Sequence, residues 1–206
     1  MAAADTNDRY YTLEVASEAI YRVKGSKFIG FAYPVFSEME IKTQVDLLRK
    51  EYFDATHHCY AWALGADRNK HRENDDGEPS GSAARPIYGQ ILSAGLSNVL
   101  IVVLRYFGGT KLGVSGLIDA YKLAAKACIE EGKIVERFEE NIIIIRFSYA
   151  EMNVVMKLVK DQELQVIDPK FDLRCQLHTK IKRSKSDELL FELNKLKGVE
   201  AEIDFS

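Results

Sequence analysis

Residues 98–131, NVLIVVLRYFGGTKLGVSGLIDAYKLAAKACIEE, join an apolar segment to a long helix through a turn crowded with glycine. Residues 98–106 are apolar and β-branched, the pattern of a buried strand. Gly108, Gly109, Gly113 and Gly116 follow, four glycines within nine residues. Glycine serves where the backbone needs positive φ or where another group must approach closely. Leu117, Tyr121, Ala124, Ala125 and Cys128 then mark one face of an amphipathic helix. A helix N-terminus presents unpaired N–H groups and partial positive charge, and Arg105 and Lys111 flank the turn. The order strand, glycine turn, helix therefore predicts a phosphate or carboxylate site. Its candidate residues are Arg85, Arg105, Gly108, Gly109, Lys111, Gly113, Ser115 and Gly116.

The competing expectation is that the glycines only close a tight connection against a sheet. The spacing matches neither the P-loop G-x-x-x-x-G-K-[ST] nor the dinucleotide G-x-G-x-x-G. Asp119, read as part of the first helical turn, suits the helix dipole but repels an anion.

At 206 residues the chain fits one large domain or two small ones, and 47% hydrophobic residues are enough for a sizeable core. A net charge of −3 argues against an extensive basic surface for nucleic acid. Cys59, Cys128 and Cys175 lie far apart with no C-x-x-C pair, as expected for reduced thiols of a cytosolic protein. No N-terminal signal pattern is present, and no apolar run approaches the roughly 20 residues of a membrane span. A cytoplasmic protein without a membrane partner is expected.

Patterning predicts strands at 10–15, 19–23 and 27–35, with a turn at Lys24-Gly25-Ser26. A helix follows from Ser37, whose partner Glu40 three residues on makes a capping box. Ile41, Val45 and Leu48 supply its apolar face. Residues 56–64 alternate as a strand, with His58, Tyr60 and Trp62 on one face and His57, Cys59 and Ala61 on the other. Residues 65–84 read as a long polar loop, and 86–96 as a short helix. Gly132 is expected as the left-handed cap of the glycine-turn helix. The charged stretch 133–140 is taken as the domain junction, giving domains 1–137 and 138–206.

The second unit predicts strand 141–147, helix 151–160, paired strands 164–171 and 174–181, and a helix capped by Ser186 or Asp187. Gly198 ends that helix, and 199–205 is a last strand. This β-α-β-β-α-β order is the ferredoxin-like arrangement. Lys180, Lys182, Arg183 and Lys185 are read as a solvated loop.

Two segments, DDGEPSGSAARP at 75–86 and VLRYFGGTKLGVSG at 103–116, resemble the IMPACT family, also called YigZ-like. The strand around His58 and Tyr60-Ala61 fits the same pattern. The resemblance covers most of the first 135 residues, and the second unit looks like the ferredoxin-like domain of bacterial members. It implies an α+β chain: a ribosomal protein S5 domain 2-like N-terminal domain, with a sheet covered by helices, followed by the ferredoxin-like βαββαβ domain. It also implies a loose likeness to the last two domains of the translocation elongation factor. Eukaryotic relatives bind a ribosome-associated activator of the amino-acid-starvation kinase, so the resemblance implies a link to translation. The family surface is thought to suit nucleic acid or another phosphate-bearing ligand. Two departures stand out: Ala84 replaces a glycine, and Asp119 replaces a basic residue.

Three functions follow as expectations. The first is a non-enzymatic binding or regulatory protein that holds RNA, ribosome or another phosphate-bearing ligand through the glycine turn. The second is a metal-dependent hydrolase using His58, Asp75, Asp76 and Glu78, since imidazole and carboxylates suit divalent ions. Against it, no H-E-x-x-H or comparable ligand spacing occurs, and those acidic residues equally make a turn with His58 packed beneath. The third is a protein-interaction module, with a translation-associated partner and an architectural glycine motif. No nucleophile elbow surrounds Ser80, Ser82 or Ser115, no charged neighbour activates Cys59 or Cys128, and no cofactor or resident metal is expected. Tyr88, Tyr106 and Phe107 are read as core or rim aromatics that are also able to stack on bases.

Overall fold

The computed structural model describes residues 8–172 and 174–204. They divide into two compact units, one spanning Arg9–Arg137 and the other running from Phe138 together with Asp8. The architecture is α+β.

The first unit contains β1 (Arg9–Leu13), β2 (Ser17–Val23), β3 (Ser26–Pro34), α1 (Glu38–Glu51), β4 (His57–Leu64) and β5 (Lys70–Asn74). It continues with α2 (Ala84–Ser93), β6 (Val99–Tyr106), α3 (Gly113–Glu130) and β7 (Ile134–Phe138). A five-stranded sheet runs β2-β3-β6-β4-β5, with every neighbouring pair antiparallel, and β1 pairs with β7. β6 is the central strand, and Val99–Leu104 are wholly buried because helices cover both faces. Val99, Ile101 and Val103 pack with α2 and α3, whereas Leu100, Val102 and Leu104 pack with Ile41, Val45 and Leu48 of α1.

Local chemistry explains several boundaries. Lys24 and Gly25 both take positive φ (47° and 80°), as a two-residue type I′ hairpin requires, and join β2 to β3. The Ser37 hydroxyl accepts from the Glu40 N–H at 3.2 Å and caps α1 as expected, while the Glu40 carboxylate accepts from the Phe36 N–H at 3.0 Å. Gly30 lets α3 lie directly on β3, since a Cβ there would stand 2.7 Å from the Ala124 carbonyl oxygen.

The structure corrects four local expectations in this unit. The polar stretch 65–84 contains β5, whose sequence KHREN shows no apolar alternation and which is held by main-chain pairing with β4. The charged stretch after α3 contains β7. Gly132 is not left-handed; a Cβ there would meet Leu13 Cδ2 at 2.7 Å and Ser17 Oγ at 2.9 Å, so those two side chains would have to shift. α2 starts two residues before Pro86, which fits because proline needs no N–H partner in a first turn.

The second unit contains β8 (Glu140–Phe147), α4 (Met152–Asp161), β9 (Gln165–Val166), β10 (Cys175–Lys182), α5 (Ser186–Asn194) and β11 (Val199–Asp204). Its sheet runs β11-β8-β10-β9, antiparallel throughout, with Ile143, Ile145, Phe147, Leu177, Leu189 and Leu193 among its core. This is the ferredoxin-like order. β9 is shorter than predicted: among the described residues, pairing beyond Val166 consists of the Ile167 N–H donating to the His178 carbonyl at 2.9 Å and an isolated bridge, Lys170 to Gln176. Ser186 does not cap α5. It is the first helical residue, it is buried, and its hydroxyl accepts from Asn141 Nδ2. Gly198 does not end α5, which stops at Asn194 with Lys195 as its cap; the positive φ of Gly198, 79°, instead serves the turn into β11. Asp8 belongs to this unit through its carboxylate, which accepts from the Ser184 N–H at 3.0 Å, and its carbonyl, which accepts from the Glu139 N–H.

Candidate functional site

Strand register brings three side chains into one row. Phe28 on β3, Arg105 on β6 and His57 on β4 are direct cross-strand neighbours. All three belong to the sheet face under α3, one layer beyond Val103 and Cys59. At that layer the apolar core ends and a buried polar network begins. The Arg105 guanidinium donates from Nη1 to Glu78 Oε1 at 2.6 Å, and the Tyr121 hydroxyl donates to the same oxygen at 2.8 Å. The Cys59 thiol reaches the Tyr121 hydroxyl at 3.3 Å and the Asp75 carbonyl at 3.0 Å.

Arg105 and Glu78 are 7% and 8% exposed, so their ion pair is largely desolvated. The guanidinium also sits 5.7 Å from the Phe28 ring centre and 5.6 Å from that of Phe107. Its Nε is buried and has no hydrogen-bond partner among the described residues. Burial pushes the Cys59 thiol and the Tyr121 phenol up from their ordinary values, so both stay protonated as donors. Cys59 is therefore no nucleophile.

Beside this network is a cavity of about 410 Å³, lined by His57, Glu78, Arg105, Phe107, Lys111 and Val114 with Gly113 at the start of α3. Leu112 precedes that helix and supplies no side-chain cap. The helix begins at Gly113, so Asp119 lies in its second turn and is exposed. This corrects the expectation that Asp119 sits in the first turn, where it would have opposed an anion.

His57 donates from Nδ1 to the Asp76 carbonyl at 2.7 Å, because a carbonyl can only accept. The neutral ring therefore carries its proton on Nδ1, and Nε2, 3.9 Å from Glu78 Oε1, keeps its lone pair.

The glycines divide by role. Gly109 and Gly113 have φ of 83° and 73°, values that side chains rarely adopt. Gly108 is a packing glycine whose N–H donates to Ser26 Oγ at 3.1 Å beside the β2–β3 turn. Gly116 lies in the helix with ordinary φ, close to Leu112. Ser115 is exposed in the first turn of α3, outside the cavity lining, and Arg85 is exposed on α2, also outside it. The structure thus brings Arg105, Lys111, Gly113 and Glu78 together and leaves Arg85 and Ser115 apart.

The four residues expected to hold a metal do not converge. Asp75 accepts from the Gly81, Ala83 and Ala84 N–H groups at 2.8, 3.1 and 2.8 Å and so caps α2 from a distance. Ala84 thus spends its N–H within the fold. Asp76 accepts from Arg49 Nη2 at 2.9 Å and from the His58 N–H at 2.7 Å. His58 faces the α1 side, where its Nε2 donates to the Tyr52 carbonyl at 3.1 Å, and burial lowers its pKa. Only Glu78 reaches the cavity. Among the described residues no group of three or more His, Cys, Asp or Glu is placed to hold a metal ion.

Pattern reading places His57 opposite His58 but gives no reason to put it at the site. The β4–β6 register supplies that reason, and the same holds for Tyr121, which reads simply as a core residue of α3.

Residues 24–129 match the family model described as the Impact N-terminal domain. The chain is 28% identical over 178 residues to "IMPACT family member YvyE" of Bacillus subtilis, covering 86% of this chain and 82% of the relative. It is 38% identical over 104 residues to "IMPACT family member YigZ" of Escherichia coli, covering 50% and 51%. A crystal structure of a hypothetical protein matches with a TM-score of 0.72 at 24% identity, covering 97% of this chain and 99% of that one. Among the described residues no helix is long and apolar enough to cross a membrane.

Proposed function

The chain belongs to the IMPACT family, and from that premise we propose that it is a non-enzymatic, cytoplasmic binding protein linked to translation. It takes a phosphate-bearing ligand, RNA or the ribosome, at the cavity formed by Arg105, Lys111 and the start of α3. The observation that carries this reading is the cavity lining, in which Arg105 and Lys111 stand beside the uncapped start of α3. Lys111 and the uncapped N-terminus of α3 add positive charge at the same mouth. Glu78 already neutralises Arg105, so the positive charge left at the mouth is that of Lys111 and the start of α3.

The test is binding of single-stranded RNA and of ribosomes as a function of salt. Affinity should fall steeply with salt, and Lys111→Ala should weaken binding and reduce the salt slope by about 1. An unchanged slope would exclude this site. The fit of Gly108 against the hairpin turn favours a second reading, a protein-interaction module with an architectural glycine motif. It predicts no association with RNA or ribosomes even at low salt.

A further inference from the structure

Resting on the anion reading of this cavity, we infer that its ligand is a nucleoside monophosphate group, either free or as the unpaired terminal nucleotide of an RNA. Three demands of the cavity lead there. Lys111 and the start of α3 ask for one anion. Phe107, 49% exposed, with Val114, Leu112 and Leu117, forms an apolar wall that offers an aromatic face to a flat partner. The Nε2 lone pair of His57, fixed by the Asp76 carbonyl on the other ring nitrogen, asks for an N–H donor.

Inorganic phosphate meets only the first demand, and so does a sugar phosphate. Phenyl phosphate meets the first two. A phosphate joined to a base with a ring or exocyclic N–H meets all three. A volume of about 410 Å³ lies within the range of small-ligand clefts and is that of a site for one nucleotide.

Calorimetry at low salt with inorganic phosphate, ribose 5-phosphate, AMP and CMP tests this. The nucleotides should bind on the order of 10-fold tighter than ribose 5-phosphate. Phe107→Ala, at a half-exposed position, should abolish that advantage. Equal affinity for AMP, CMP and ribose 5-phosphate in the unaltered protein overturns the nucleotide inference and leaves the anion reading standing. Failure of all four ligands to bind overturns both. A 5′-phosphorylated tetranucleotide separates the two sources. Tighter binding than AMP assigns the site to an RNA end, and equal or weaker binding assigns it to the free nucleotide; either result supports the inference.

Discussion

A Cβ atom on Gly108 would stand 1.9 Å from the carbonyl carbon of Gly25. The glycine loop and the β2–β3 hairpin turn therefore touch backbone to backbone, and no rotamer change can relieve a side chain there. Gly108→Ala should destabilise the Arg9–Arg137 unit by about 3 kcal/mol, the upper range for overpacking. Lys111→Ala, at an exposed position, should stay within about 0.5 kcal/mol. Urea unfolding of both variants checks this, and equal midpoints would remove the architectural role assigned to Gly108.

The Arg105–Glu78 pair gives an asymmetric expectation. Glu78→Ala leaves a buried guanidinium without its counter-charge, which costs about 3–5 kcal/mol. Tyr121→Phe removes one neutral donor to the same carboxylate and should cost about 1 kcal/mol. Denaturant midpoints order the two, and a Tyr121→Phe loss as large as that of Glu78→Ala would contradict the network.

His58 sets a pH dependence. Burial lowers its pKa in the folded protein, overriding the attraction of Asp76. The unfolded chain takes up this proton near pH 6.5, and the native state refuses it until lower pH. Stability from this residue is therefore complete above about pH 6.5 and declines as pH falls below it. Unfolding free energies from pH 8 to pH 5 should fall, with a smaller fall in His58→Gln. An identical slope in the variant would assign the effect to another group.

The thiols should be inert in the native state. Burial raises the Cys59 thiol, and it raises Cys128 to about 12; all three cysteines are buried. Iodoacetamide at pH 8 should label none of them at the rate of a free thiol until denaturant is added. Mass spectrometry of the native digest reads this directly.

Local chemistry was legible in the sequence, and distant chemistry was not. The Ser37–Glu40 capping box, the apolar run of β6 and the apolar face of α3 are patterns within a few residues, and the structure follows each. β5 is held by main-chain pairing with β4 and by the His71 ring stacked on Tyr88, so KHREN gave no apolar alternation. α2 starts early because Asp75 reaches across nine residues to cap it. The same division holds in the candidate site. Arg105, Lys111 and Gly113 are close in sequence and were legible together. His57 and Tyr121 reach the cavity through strand register and helix packing, and no spacing rule links them to the glycines.

Asp76 acts as a rivet through the sheet. Its carboxylate holds Arg49 of α1 on one side, while its carbonyl fixes the ring of His57 on the other. A tilt of the C-terminal turn of α1 larger than the Arg49 side chain can absorb is therefore felt at the imidazole beside the cavity. The two faces of β4 are mechanically a single part at this point. Loosening Asp76 should accelerate amide exchange at the end of α1 and at the cavity rim together.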